Sequence, residues 1–219
     1  MGAVVRAAAL GVIGGLLLTA APATAKGGTP PQDIGYLIDL LKSKDIQERR
    51  DAAQTLGAMG FDVATPGLCD ALGDDDTRVQ LLAAEALGKI GDKRAVDPLL
   101  AYLPAAEPSV RRFILGALGK IGDPRALETL TQYLGADADG DVRASAAYGL
   151  GELGDAAATE ALVAALSDDY KWVRYETAGA LSRMGAVGTI PALEAVAAND
   201  KDAQVRAAAA KAVNVLRAI

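Results

Sequence analysis

A motif that returns every 31 or 32 residues constrains this chain more than any other feature of its sequence. Its clearest copy, Val110 to Asp123, reads VRRFILGALGKIGD, and related versions begin at positions 48, 79, 142, 173 and 205. A fixed period of this length is typical of repeat architectures, in which each unit packs only against its neighbours. The period therefore predicts a solenoid that grows by adding units, and not one closed core.

Each copy of the motif predicts two helices. The apolar residues of the clearest copy recur at the spacing of one buried helix face: Val110, Ile114, Leu115, Leu118 and Ile121. Of the two glycines that close this helix, Gly122 is predicted to be the left-handed C-cap and Gly119 to permit close helix contact. A second helix follows each Gly-Asp pair, and a lone helix stands at each end. The pattern predicts an all-α, right-handed α-solenoid of about six helical hairpins over residues 33–219.

Composition limits the chemistry available to the chain. Apolar residues make up 51% of the sequence but aromatic residues only 4%, so the core must consist of Ala, Leu, Val and Ile. The net charge of −6 argues against nucleic acid as a partner, because such binders need a basic face. There is no histidine, only one cysteine, no nucleophile motif and no phosphate loop. We therefore expect a protein that is not an enzyme and has no cofactor.

The first 25 residues have the features of a secretory signal peptide. Arg6 supplies the positive region, residues 7–18 are apolar, and Ala23-Thr24-Ala25 is a small-x-small cleavage site. The apolar run is short for a membrane span, which needs about 20 residues. We expect cleavage near Ala25, a flexible lead-in over residues 26–32, and a periplasmic or secreted mature chain with no membrane span.

The repeated pattern V-R-x-x-A-A-x-A-L-G-x-I-G-D resembles the short HEAT-like repeats of phycobiliprotein lyases, and also the consensus of designed helicoidal repeat scaffolds. The resemblance covers residues 33–219 and implies the solenoid fold. It leaves function open, because members include bilin lyase subunits as well as scaffolds and adaptors. In HEAT-type repeats an Asp and an Arg commonly form a ladder between neighbouring units. The pairs that this resemblance implies are Asp92 with Arg111, Asp123 with Arg143, and Asp155 with Arg174.

Residues that do not recur between units are the candidates for a binding surface. In the first helix of each unit they stand two, three, six and ten residues after the valine position, opposite the core stripe. Large apolar, aromatic and arginine side chains on such a face are typical interface anchors. The predicted protein-binding residues are Leu81, Leu82, Arg112, Phe113, Tyr148, Trp172 and Tyr175. Trp172 stands one residue before its valine and is included because it belongs to the aromatic cluster of residues 170–175, and covering a seam between units remains an equal alternative for it.

The leading hypothesis is a monomeric scaffold that binds a protein or extended peptide on the concave face of the solenoid. The alternatives are a bilin lyase-like or chaperone-like subunit, which the resemblance supports, and a purely structural spacer. Asp137 to Asp141 looks like the opening of a calcium loop. However, Gly140 is at the fourth place and not the sixth, and Tyr148 stands where a glutamate is needed, so no metal site is predicted.

Overall fold

The computed structural model describes residues 33–219, so the predicted signal peptide and lead-in lie outside the described residues. Across the described part the chain forms twelve α-helices and no strands. In chain order the helices are α1 (Asp33–Leu40), α2 (Ile46–Met59), α3 (Thr65–Asp70), α4 (Thr77–Ile90), α5 (Val96–Tyr102), α6 (Pro108–Ile121), α7 (Leu127–Ala136), α8 (Gly140–Leu153), α9 (Thr159–Ala165), α10 (Lys171–Arg183), α11 (Ile190–Asn199) and α12 (Ala203–Arg217).

The helices alternate between two types, as the repeat predicts. The long helices α2, α4, α6, α8, α10 and α12 pack side by side in one row, each against the next. A shorter helix of the second type follows each of the first five. Five hairpins therefore stand between a lone α1 and a lone α12, and the predicted α-solenoid is confirmed. The predicted core stripe of α6 is also confirmed, because none of its five apolar residues is more than 7% exposed.

The ends of the long helices follow from their caps. The side chain of Asp76 accepts a hydrogen bond from the backbone N–H of Val79 at the start of α4, and Asp45, Asp139 and Asp202 cap α2, α8 and α12 in the same way. At the end of α6, Gly122 has φ +69° and donates its N–H to the carbonyl of Leu118. Since only glycine adopts this conformation without strain, the helix stops there, as predicted.

The other recurring glycine allows neighbouring long helices to approach closely. A Cβ added at Gly88 of α4 would lie 2.8 Å from the Cα of Ala117 in α6. A Cβ at Gly119 of α6 would collide with the backbone of Gly149 in α8. The long helices thus pack nearly backbone to backbone, which explains why a core of Ala and Leu suffices.

An arginine ladder links successive units, but its acidic partners differ from those predicted. The arginine that follows each valine position reaches the turn before the next long helix. The pairs are Arg49–Asp74 at 2.7 Å, Arg111–Asp137 at 2.6 Å, Arg143–Asp168 at 2.8 Å and Arg174–Asp200 at 2.7 Å. The predicted arginines are therefore in the ladder, whereas the pairing of Arg111, Arg143 and Arg174 with Asp92, Asp123 and Asp155 is wrong.

The three predicted acids instead cap the turns in which they stand. Asp155 accepts the backbone N–H of Ala157 at 2.9 Å, and Asp92 and Asp123 accept the N–H two residues ahead in the same way. Asp92 and Asp123 also accept hydrogen bonds from the side chains of Arg94 and Arg125, respectively. Asp92 and Asp123 thus have local partners on both of their oxygens, whereas Asp155 accepts the hydrogen bond of its own turn.

The ladder has one gap, between α4 and α6. Gln80 stands where the other long helices have arginine, and its side chain donates to the carbonyl of Asp74 at 2.6 Å. Ala105 stands six residues before Arg111, where Asp137 stands before Arg143, and the carbonyl of Ala106 accepts the Arg111 side chain at 2.8 Å. Both partners of the ion pair are replaced together, so no charge is left buried without a counter-ion at this junction.

Candidate binding groove

An open groove of about 520 Å³ crosses four successive long helices, α4, α6, α8 and α10. Below, "the groove" means this depression. Its walls are formed by Glu85, Gly88, Arg112, Phe113, Gly116, Ala117, Lys120, Asp141, Ala144, Ser145, Tyr148, Trp172 and Glu176. Most of these residues stand at the non-recurring offsets of the first helix. The packing of the long helices in one row brings those offsets together on one face.

Three of the predicted aromatic residues line the groove. Phe113 of α6 is 37% exposed and Trp172 of α10 is 36% exposed, which is unusual for such large apolar side chains. Tyr148 is half-buried and belongs to α8, the long helix between α6 and α10. Lys120 Nζ lies 5.9 Å and the Arg183 guanidinium 5.0 Å from the centroid of its ring. Arg183 is held by Glu152 at 3.2 Å. The ring of Tyr148 is therefore fixed by cation–π contacts from its own chain.

The aromatic cluster at residues 170–175 divides into packing and exposed members. Tyr170 lies over Gly140, where a Cβ would collide with its ring, and its hydroxyl donates to Asp141 Oδ1 at 2.8 Å. Trp172 lies in the groove, and Tyr175, 37% exposed, contacts it edge-on with ring centroids 5.6 Å apart. Tyr170 therefore stabilises the junction between units, while Trp172 and Tyr175 remain accessible.

Three predicted binding residues, Leu81, Leu82 and Tyr175, do not line the groove. Leu82 was expected on the exposed face, but the structure buries it to 6% exposure, so this prediction is wrong. Offset three borders the core stripe, and Leu82 lines a separate depression beside α4 together with Gly57 and Ala86. Leu81 is half-buried against the core and lines neither depression.

The charged side chains of the groove are mostly paired. Glu85 contacts Lys89 at 2.7 Å, and the predicted Arg112 lies 3.6 Å from Asp141. The side chain of Glu176 in α10 makes neither an ion pair nor a hydrogen bond within residues 33–219. Burial raises the pKa of Glu176, and the charge of Arg183 offsets only part of that increase. Glu176 and Lys120 were not among the predicted site residues, although both stand at non-recurring offsets that could have indicated them.

The described residues offer few groups for other chemistry. Within residues 33–219 no cluster of three His, Cys, Asp or Glu side chains could hold a metal ion. Burial raises the pKa of the Cys69 thiol to about 11, which keeps the sulfur protonated at neutral pH. None of the helices between residues 33 and 219 is both long and apolar enough to cross a membrane.

Comparison with known proteins identifies the repeat. A family model described as HEAT repeats matches residues 34–108, 65–151 and 130–214. No curated protein sequence matches the chain. Among solved structures, the complex of CpcE and CpcF of phycocyanin lyase from Nostoc sp. PCC7120 is similar, with a TM-score of 0.59 and 26% identity over 68% of this chain and 98% of that chain.

Two artificial proteins have a similar fold. A designed armadillo repeat protein in complex with the peptide (KR)4 has a TM-score of 0.57 and 20% identity, covering 84% of this chain and 99% of that one. An engineered protein has a TM-score of 0.56 and 23% identity, covering 86% of this chain and 100% of its own. At these identities the similarity concerns the fold alone.

Proposed function

Because the chain belongs to the HEAT-repeat family, we propose that it is a non-catalytic scaffold that binds a protein or an extended peptide in the groove. One observation carries the proposal. Phe113 and Trp172 remain more than a third exposed in a depression that four helices form together. The recurring residues, in contrast, take part in core packing and in the arginine ladder. Burial of these rings by a partner would supply affinity, at roughly 25 cal/mol for each Å² of apolar surface removed from water.

The solved structures are compatible with this role. The designed armadillo protein binds the peptide (KR)4, and CpcE forms a complex with CpcF. An α-solenoid presents successive helices at a regular spacing, so an extended peptide can contact several units in turn. We propose the same mode of binding for the groove of this chain.

The test uses peptides selected on the protein itself. A library of random octapeptides displayed on phage is selected on the purified protein, and the enriched peptides are measured on the variant with Phe113→Ala and Tyr148→Ala. We expect at least a roughly tenfold loss of affinity, because truncating such anchors typically costs more than 1 kcal/mol each. Tyr36→Ala, which truncates a 52% exposed side chain on α1, is the matched control. Equal affinity of the double variant and the control would refute the proposal.

A lyase-like or chaperone-like subunit is the second candidate, and the similarity to the phycocyanin lyase complex favours it. The scaffold remains our first choice because the chain has no histidine and its one cysteine is protonated at neutral pH. An absorbance shift on mixing the protein with a bilin would support the lyase-like role.

We further propose that residues 1–25 direct secretion and are removed near Ala25, so that a monomeric mature chain acts in the periplasm or outside the cell. The positive residue, the apolar run and the small-x-small site support this proposal. Intact mass measurement of the exported protein tests it, since a chain beginning at Lys26 is expected and an uncleaved chain would contradict it.

A further inference from the structure

Glu176 is the groove carboxylate that has no partner of its own. Among the described residues the other two are engaged: Glu85 contacts Lys89 at 2.7 Å, and Asp141 accepts the Tyr170 hydroxyl at 2.8 Å. Glu176 is half-buried, and burial raises its pKa. A carboxylate that loses water without gaining a counter-ion is destabilising, so this position is kept at a cost to the folded protein.

The side chains around Glu176 are suited to a positively charged group. Trp172 lies one helical turn earlier on α10, so both side chains are on the same face and line the same groove. The indole already makes one cation–π contact, with Lys171, whose Nζ is 4.8 Å from the ring centroid. Lys171 does not line the groove, and Asp202 holds it at 3.3 Å. Trp172 is 36% exposed and lines the groove, so part of its indole remains available to a second cation.

The positive charges beside Tyr148 are engaged with groups other than the Glu176 carboxylate. Arg183 is paired with Glu152 at 3.2 Å. Lys120 extends from α6 over the ring of Tyr148 in α8, with its Nζ 5.9 Å from the ring centroid. Neither cation forms an ion pair with Glu176, so the carboxylate is open to a cationic ligand, although the charge of Arg183 offsets part of the increase in its pKa.

We infer that the α10 part of the groove binds a lysine or arginine side chain of an extended peptide, held between Trp172 and Glu176. The inference rests on the proposed function and adds the class of ligand. The cation gains the face of the indole and an ion pair with the carboxylate, and Glu176 gains its missing counter-ion.

The experiment uses the octapeptides selected on the purified protein and the fluorescence of Trp172, the single tryptophan of the chain. We expect the selected peptides to share a lysine or arginine and to change the emission of Trp172 on binding. Replacing that residue by norleucine or citrulline should weaken binding to the unmodified protein roughly tenfold. In the Glu176→Gln variant the same replacement should have little effect, while Glu160→Gln, an exposed glutamate on α9, should behave as the unmodified protein does.

The outcomes separate this inference from the proposed function. Peptides that depend on Phe113 and Tyr148 but show the same norleucine effect with and without the Glu176 carboxylate would overturn the cation site and leave the groove in place. Selection of peptides without any lysine or arginine would do the same, and would suit a protonated Glu176 that donates to a carbonyl. A failure to enrich any peptide would overturn both.

Discussion

The arginines of the ladder are the charged residues on which stability depends most. Arg174 is 4% exposed and donates two hydrogen bonds to Asp200, at 2.7 and 2.9 Å, besides one to the carbonyl of Asp168. Removing one member of a buried pair leaves the other charge without compensation, so Arg174→Ala should lower the free energy of unfolding by about 3 kcal/mol. Chemical denaturation measures this loss.

Arg94→Ala is the matched control for Arg174→Ala. Arg94 also bonds aspartates, but its side chain is 60% exposed and water can replace it, so we expect a much smaller loss. The double variant with Arg174→Met and Asp200→Leu should recover part of the loss, because it leaves no buried charge unpaired. Similar losses for Arg174→Ala and Arg94→Ala would contradict the importance given to the ladder.

The sequence identified the ladder arginines but not their acids, for a physical reason. Asp123 and Asp137 both belong to acidic positions that recur with the repeat, so periodicity supports either as the partner of an arginine. Which one lies within hydrogen-bond distance depends on the path of the turns.

The predicted exposure of Phe113 was correct, whereas that of Leu82 was wrong. Both residues stand at offset three, at the border of the core stripe, where the neighbouring side chains determine whether a residue is exposed.

Between helices, the recurring glycine sets the distance. Gly119→Ala would place a methyl group against the backbone of Gly149, which cannot move aside as a flexible side chain could. We expect this change to lower the free energy of unfolding by about 1–3 kcal/mol, the usual range for overpacking. Thermal unfolding followed by circular dichroism measures the effect.

Gly135→Ala on α7 separates packing from helix propensity. A Cβ at Gly135 would meet no atom within 4 Å, and alanine favours a helix over glycine by roughly 0.5–1 kcal/mol. The control should therefore be neutral or stabilising. A Gly119→Ala variant as stable as the Gly135→Ala variant would show that α6 and α8 can separate without loss.

Helix positions and caps were predictable because each depends on a few adjacent residues. The helical spacing of the apolar residues over Val110 to Ile121, followed by Gly122, determines one helix and its end without reference to the rest of the chain. The ladder gap between α4 and α6 could also have been found, since Gln80 replaces the recurring arginine. The shape of the groove could not, because it depends on how far four helices are rotated against one another.

Across the repeats, the positions that do not recur are as informative as those that do. Recurrence assigns Val110 and Gly119 to the scaffold, and the remaining offsets to a surface that differs from unit to unit. The structure places those offsets in one groove. The repeat does not predict that the Glu176 side chain has no partner there, or that the Tyr170 hydroxyl donates to Asp141. Charge partners across units are three-dimensional facts that a one-dimensional repeat does not contain.

The turns between units should make the whole solenoid sensitive to acid. The hydrogen bond from Arg174 lowers the pKa of Asp200, and backbone N–H groups lower that of Asp202, beginning with the one from Gln204. In the turn inside the α6–α7 hairpin, the Arg125 side chain is the largest cause of the lower pKa of Asp123. Each of these carboxyls binds its proton less readily in the folded chain than in the unfolded chain, where the pKa is about 3.9. Their contribution to stability is therefore complete above that value and is lost as the pH falls through the folded-state pKa.

We accordingly expect the melting temperature to change little between about pH 7 and 5 and to fall steeply below about pH 4, as protonation of the turn aspartates removes the links between units. Glu176 acts in the opposite direction, because its pKa is raised, but it is one group against several. Melting curves recorded by circular dichroism across this range test the expectation. The Arg174→Met, Asp200→Leu variant is the control, and its curve should fall less steeply because one linked carboxylate is gone. A melting temperature that is constant down to about pH 3 would mean that the carboxylates of the turns have the same proton affinity in the folded and unfolded chain.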